Sequence, residues 1–130
     1  MKRVIVDTGP LIALLNPSDA HHEWARASFD TIEPPMFSCE AVLSEACFLL
    51  HRIKGGQGAV VDLVAQGIVR VSFALGSELV AVRKLMDRYA SMPMSLADAC
   101  LARMSELDER APLSRSALLK PAMPTGAPIK

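Results

Sequence analysis

The chain has 130 residues, 51% of them hydrophobic, and this length and composition predict one domain with a full core. No apolar run reaches the roughly 18 residues that a membrane-spanning helix needs, so we expect a cytoplasmic protein with no membrane partner. The 14 basic and 14 acidic residues cancel, which argues against a general electrostatic attraction to nucleic acid but permits local basic clusters.

The first apolar stretch, "VIVDTGPLIALL" at residues 4–15, contains a single carboxylate, Asp7. The β-branched residues before it predict a strand over 2–6, and residues 10–15 predict a short helix. Asp7 therefore lies where the strand ends, and it is also placed to cap a helix that begins directly after it. The basic residues ahead of the run resemble the start of a secretory signal, but the acid, glycine and proline within it argue against one.

Apolar periodicity and turn residues predict the remaining elements. The predicted helices cover 20–32, 39–53, 58–67, 77–90 and 95–107, and the predicted strands cover 36–38 and 68–73. Strands that alternate with helices indicate a three-layer α/β/α sandwich with a central parallel sheet of four to five strands. Ligands bind such sheets at the carboxyl ends of the strands, where Asp7 is predicted to lie.

The end of the chain has a different composition. From Arg110 onward there are four basic residues and no acidic one, and "KPAMPTGAPIK" contains three prolines. We therefore predict a domain over 1–109 and a divergent, Pro-rich tail over 110–130. Residues 111–114 make at best a weak edge strand because of Pro112.

The three cysteines, Cys39, Cys47 and Cys100, all fall in apolar segments. Their odd number and their surroundings predict buried thiols in a reducing compartment rather than a disulfide framework. No C-x-x-C pair occurs, so the sequence does not predict a zinc site.

Two further carboxylates fall in segments that the sequence predicts to be largely buried. Glu45 lies in "EAVLSEACFLL" and Asp98 lies in "MSLADACLARM". Each has a simpler explanation, because Glu45 could have an unseen partner and Asp98 could form a capping box with Ser95. A hard divalent cation would stabilise both acids and Asp7 together, since Mg²⁺ and Mn²⁺ prefer oxygen ligands. The three acids therefore predict a phosphodiester-cleaving metal site.

These motifs resemble those of PIN domains, particularly the VapC-type toxin ribonucleases of bacterial toxin–antitoxin pairs. The resemblance runs from "VIVDTGPLIALLNPSDAHHEWA" through "LSEACFLL" to "SLADACLARM" and covers about residues 3–107. It implies that Asp7, Glu45 and Asp98 are the family's first three catalytic, metal-binding acids. It also implies that Thr8 is the hydroxyl residue that orients a metal-bound water.

The resemblance further implies an enzyme, a Mg²⁺- or Mn²⁺-dependent endoribonuclease that hydrolyses phosphodiester bonds in RNA. As the toxin of a toxin–antitoxin pair, it would have an antitoxin protein as its partner, and family members are frequently homodimers. The metal would activate a water for in-line attack on phosphorus. Arg52, Lys54 and Arg83 are candidates for steering RNA phosphates, with solvated helix faces as the simpler explanation of their positions.

The chain departs from the family near its end. Members usually carry a further acid in a "T-x-D-x-D-F"-like segment, just after a strand that follows the helix of the third acid. The matching region here is "APLSRSALLK", with Ser114, Arg115 and Ser116 and no acid. We therefore expect the carboxyl-terminal strand to be missing or altered. The alternative function is a catalytically impaired PIN-like module that binds RNA or an antitoxin-like protein. A phosphate-accepting receiver-like domain is disfavoured, because Val6 rather than an acid precedes Asp7.

Overall fold

The structure is a computed structural model that describes residues 2–110 and 115–119 of the chain. These residues form four strands and six helices, with a 3₁₀ turn at Leu75–Ser77 before the fifth helix. In chain order the elements are β1 (Lys2–Val6), α1 (Thr8–Leu15), α2 (His22–Thr31), β2 (Met36–Ser38), α3 (Glu40–Leu49), α4 (Gly56–Ala65), β3 (Val69–Val71), α5 (Leu79–Arg88), α6 (Leu96–Arg110) and β4 (Arg115–Leu119).

The four strands form one parallel sheet in the order β3-β2-β1-β4. β1 and β4 pair along their whole length, from Lys2 opposite Arg115 to Val6 opposite Leu119. On its other side β1 pairs with β2, where Ile5 lies opposite Phe37. β1 is therefore an interior strand, and the residue that follows it, Asp7, emerges at the carboxyl edge between two neighbouring strands.

The connections place helices on both faces of this sheet. The chain passes from β1 to β2 to β3 in one direction and then returns across the sheet to β4. Because parallel crossovers are right-handed, α1 to α4 lie on one face and α5 and α6 on the other. Contacts of α1 with α3 and α4, and of α5 with α6, agree with this arrangement, and α3 also contacts α6 where its first turn reaches the carboxyl edge of the sheet. The predicted α/β/α sandwich with a parallel sheet is confirmed.

The core lies between the sheet and these two helical layers. Its largest fully buried apolar side chains come from strands and helices alike, as expected for a parallel sheet covered on both faces. They are Val6, Leu11, Met36, Val42, Leu50, Val60 and Val69. In the part of the chain that the structure describes, no helix combines the length and apolar character needed to span a membrane.

A glycine sets the close approach of α3 and α4. The turn between them passes through Gly55 in the left-handed conformation, with φ of 76°. A Cβ at Gly56 would lie 2.7 Å from the carbonyl oxygen of Leu50, too close for any other residue to fit unchanged. The helix predicted over 39–53 is shorter in the structure, where α3 ends at Leu49.

The end of the sheet differs from the sequence-based expectation. Residues 115–119, predicted to belong to a divergent tail, form β4 and add a fourth strand to the sheet. Of the expectation that the carboxyl-terminal strand is missing or altered, the first half is therefore wrong. Pro112 argued against a strand in this segment, but β4 begins three residues after it. The weak edge strand predicted at 111–114 lies outside the described residues.

Candidate active site

Asp7 joins β1 to α1 at the carboxyl edge of the sheet. Its backbone is extended, and its carboxylate Oδ1 accepts a hydrogen bond of 2.6 Å from the backbone N–H of Thr8. The helix-cap explanation of Asp7 is therefore correct. The same bond fixes the carboxylate, which is half-buried, at the end of an interior strand.

The Thr8 hydroxyl lies beside this carboxylate in the sequence and is buried. Only 6% of Thr8 is exposed, and its Oγ1 has no hydrogen-bond partner among the described residues. A buried hydroxyl without a partner costs about 1–3 kcal/mol relative to a satisfied one. Such an atom in a native protein calls for an explanation, of which an ordered water or a bound ion is one.

Glu45 lies in the middle of α3 and is exposed, so the prediction of a largely buried carboxylate is wrong. The apolar composition of α3 was misleading because only one stripe of the helix, including Val42 and Ala46, packs against the core. Phe48 and Leu49, on the remaining surface, are 69% and 51% exposed. Because Glu45 is exposed, its carboxylate needs no metal ion to offset a cost of burial.

Asp98 lies in the first turn of α6 and is also exposed, contrary to the prediction. It forms a reciprocal capping box with Ser95. The backbone N–H of Asp98 donates to the Ser95 hydroxyl at 3.0 Å, and the backbone N–H of Ser95 donates to the Asp98 carboxylate at 3.3 Å. The capping explanation of Asp98 is thus confirmed, and it leaves the carboxylate accessible to solvent.

Two cysteines show how the elements around Asp7 meet. Cys39 follows β2 and precedes α3, and its buried thiol contacts Cys100 of α6. Burial raises the pKa of Cys39, and the nearby Asp7 carboxylate raises it further. Burial also raises the pKa of Cys100 to about 11, with Cys39 as the second cause. The start of α3 and the first turns of α6 therefore lie at the same edge of the sheet as Asp7.

The three acids lie on elements that meet at this edge, but their side chains do not form a compact ligand cluster. Across residues 2–110 and 115–119, no three His, Cys, Asp or Glu side chains are close enough together to hold a metal ion. The metal-binding set of Asp7, Glu45 and Asp98 consequently remains a prediction.

The structure changes which residues of this chain correspond to the family's fourth acid. Arg115 and Ser116 belong to β4 itself, so they cannot occupy the segment that follows this strand. That segment begins with Lys120, which lies outside the described residues, and no acid occurs in the sequence from 110 onward. The β4 side of the edge therefore supplies no carboxylate.

The sequence from residue 4 to residue 111 matches the family model of the PIN domain. The chain belongs to the PIN domain family. A search of curated proteins finds no significant match. Among solved structures, this PIN domain is similar to the crystal structure of VapC20 from Mycobacterium tuberculosis, a sarcin–ricin loop cleaving toxin.

The similarity to VapC20 extends over most of both chains. It covers 82% of this chain and 83% of that chain, with 26% sequence identity and a TM-score of 0.67. The resemblance to VapC-type PIN domains, inferred from the three acidic motifs, is therefore confirmed for the family and the fold.

A cavity of about 640 Å³ lies between α5 and α6 of the PIN domain, and Asp7 is not among the residues that line it. Arg103 at this cavity donates to Glu78 at 2.6 Å and to Glu106 at 3.3 Å. The hydrogen bond to Glu78 is the main reason that the pKa of Arg103 is raised. Its charge is thus already neutralised within the protein, and sequence patterning gave no sign of this cluster because Glu78 and Arg103 lie far apart in the chain.

Proposed function

We propose that this PIN domain is a metal-dependent endoribonuclease, and that it is the toxin of a toxin–antitoxin pair with an antitoxin protein as its partner. The observation that carries the proposal is the position of Asp7, fixed at the carboxyl end of an interior strand and followed by Thr8, whose buried hydroxyl has no hydrogen-bond partner in the described part of the chain. The similarity to VapC20, a toxin that cleaves the sarcin–ricin loop, supports the choice of RNA as substrate.

The donor chemistry at Asp7 fits Mg²⁺ or Mn²⁺. These ions prefer oxygen ligands, and Mg²⁺ keeps several waters and needs only one or two carboxylates together with substrate phosphates. Asp7 would hold the ion together with Glu45 of α3 and Asp98 of α6, and the Thr8 hydroxyl would orient a water bound to it. When bound, the ion supplies Lewis-acid activation of a water and neutralises charge on the leaving oxygen.

The protein groups have separate tasks in this proposal. The Thr8 N–H holds the Asp7 carboxylate in one orientation, and the capping box holds Asp98. Glu45 and Asp98 are exposed, so a polymeric substrate can reach them. An ionised carboxylate next to the scissile phosphate can accept the proton of the attacking water.

Cleavage of single-stranded RNA by the purified full chain tests the proposal. Cleavage should require Mn²⁺ or Mg²⁺, and it should be lost in Asp7→Asn, Glu45→Gln and Asp98→Asn while thermal unfolding stays nearly unchanged. Asp62→Asn is the matched control, because Asp62 is an exposed acid on α4 outside the site. If the Asp7 and Asp98 variants cleave at the parental rate, the site assignment is wrong.

The alternative is a catalytically impaired PIN module that binds RNA or an antitoxin-like protein. The absence of any acid from residue 110 onward favours it, because the sheet edge then has fewer carboxylates for the ion. Calorimetric titration with Mn²⁺ separates the two functions. An enzyme should bind the ion with an affinity that Asp7→Asn reduces, whereas the impaired module should show weak binding that the substitution leaves unchanged.

A further inference from the structure

An aromatic pair protrudes from the end of α3, close to Glu45. Phe48 is 69% exposed, and its ring stacks on His51 with centroids 5.5 Å apart and an interplanar angle of 26°. The Nδ1 atom of His51 hydrogen-bonds the backbone carbonyl oxygen of Phe48, which holds the imidazole in place. The outer face of this pair is therefore ordered and accessible in the folded chain.

The pair shares a helix face with a proposed catalytic acid. Glu45 and Phe48 are three residues apart on α3, and residues at this spacing are surface neighbours with Cβ atoms about 5–6 Å apart. Phe48 is therefore within one nucleotide's reach of a strand of RNA bound at Glu45.

The charges around the pair suit a polyanion. Arg52 and Lys54 follow His51 and are exposed, and neither makes an ion pair with any described residue. Between Glu45 and Asp62 the sequence contains no acidic residue. Arg83, the other predicted phosphate-steering residue, instead forms an ion pair with Asp87 at 3.1 Å.

We propose that Phe48, stacked on His51, is a platform for one base of single-stranded RNA beside the cleavage site, with Arg52 and Lys54 binding adjacent phosphates. The inference rests on the proposed ribonuclease function and adds to it a base-binding subsite. Aromatic side chains inside a basic surface bind single strands in this way because every base has a π face on which to stack. The subsite is consequently selective for unpaired RNA rather than for one base.

Binding measured without cleavage tests the platform. In the Asp7→Asn background, anisotropy of a short fluorescein-labelled single-stranded RNA reports affinity, and a fluorescent adenine analogue within it reports stacking. Phe48→Ala should weaken binding about 5- to 100-fold and remove quenching of the analogue, whereas Phe48→Tyr should retain both. Leu49→Ala is the matched control, because Leu49 is an exposed apolar neighbour on the same helix that cannot stack.

The basic residues have their own readout. Replacing Arg52 and Lys54 together by alanine should lower the slope of log affinity against log salt by about 1 to 1.5 and leave quenching of the bound analogue in place. An unchanged slope in this double variant would show that Arg52 and Lys54 do not contact phosphates of the RNA.

Three results would overturn the platform. The first is RNA affinity in Phe48→Ala equal to that of the parent, and the second is an equal loss of RNA affinity in Phe48→Ala and Leu49→Ala. The third is a change in oligomeric state in Phe48→Ala with unchanged RNA affinity, which would show that this face is a protein interface. Cleavage by the unsubstituted protein is scored separately. A chain that cleaves RNA but binds it independently of Phe48 retains the proposed function and loses only the subsite.

Discussion

The Ser38 hydroxyl donates a buried hydrogen bond of 2.9 Å to the backbone carbonyl oxygen of Val6. This bond links the ends of β2 and β1 immediately before Asp7, where the sheet pairing between these strands has ended at Ile5 and Phe37. The side chain thus joins the last residues of the two strands at the edge of the sheet where Asp7 lies.

Ser38→Ala should destabilise the protein by about 1–3 kcal/mol, because the Val6 carbonyl oxygen then stays buried without its partner. Chemical denaturation followed by circular dichroism measures the change. Ser44→Ala on the exposed face of α3 should change the free energy of unfolding by less than about 0.5 kcal/mol. Equal effects of the two substitutions would show that the bond contributes nothing specific.

The two roles of Asp98 can be separated. Ser95→Ala removes the capping hydroxyl and should cost about 0.5–2 kcal/mol of stability while leaving RNA cleavage intact. Asp98→Asn keeps a capping acceptor, so it should change stability less than Ser95→Ala and yet abolish cleavage. Thermal unfolding and RNA cleavage are measured on the same samples. If Asp98→Asn still cleaves RNA, Asp98 serves only as a helix cap.

The two glycines of α4 should respond to alanine in opposite directions. Gly56→Ala places a methyl group 2.7 Å from a backbone oxygen and should destabilise the fold by about 1–3 kcal/mol. Gly58→Ala meets nothing within 4 Å and should stabilise the helix by about 0.5–1 kcal/mol. Urea denaturation midpoints measure both. Stabilisation by both substitutions would disprove the close contact between α3 and α4.

The three thiols should differ in reactivity. At about pH 8, iodoacetamide should modify the partly exposed Cys47 and leave Cys39 and Cys100 intact in the native protein. Burial raises the pKa of both protected thiols, that of Cys100 to about 11, so their thiolate fraction stays very low at this pH. Mass spectrometry after native and denatured labelling identifies the modified sites. Rapid native labelling of Cys100 would contradict the packing of α6 against α3.

The parts of the fold that the sequence predicts well depend on local patterns. The "DTGP" segment marks the change from strand to helix, so it located Asp7 at the end of β1 correctly. β4 was missed because its hydrogen-bonding partner, β1, lies at the opposite end of the chain, and no local pattern reveals such a pairing. The prolines before and after it further disguised the strand.

The environment of the site was harder to predict than its position. Apolar residues surround Glu45 in the sequence, but the packing of neighbouring helices decides which of them are buried. The exposure of Glu45 and Phe48 follows from the position of α3 relative to the core, which composition does not encode. The capping box at Asp98 was predictable because Ser95 lies three residues away.

The pairing of β1 with β4 also constrains how the protein is made. A ribosome synthesises β1 before α1 to α6 and β4 only after them, so β1 lacks one of its two neighbouring strands until residues 115–119 have been made. A nascent chain that stops before residue 115 lacks the strand that flanks Asp7. The edge of the sheet that holds this carboxylate therefore gains its β4 neighbour only after α6 has been synthesised, so Asp7 is flanked on both sides late in the assembly of the domain.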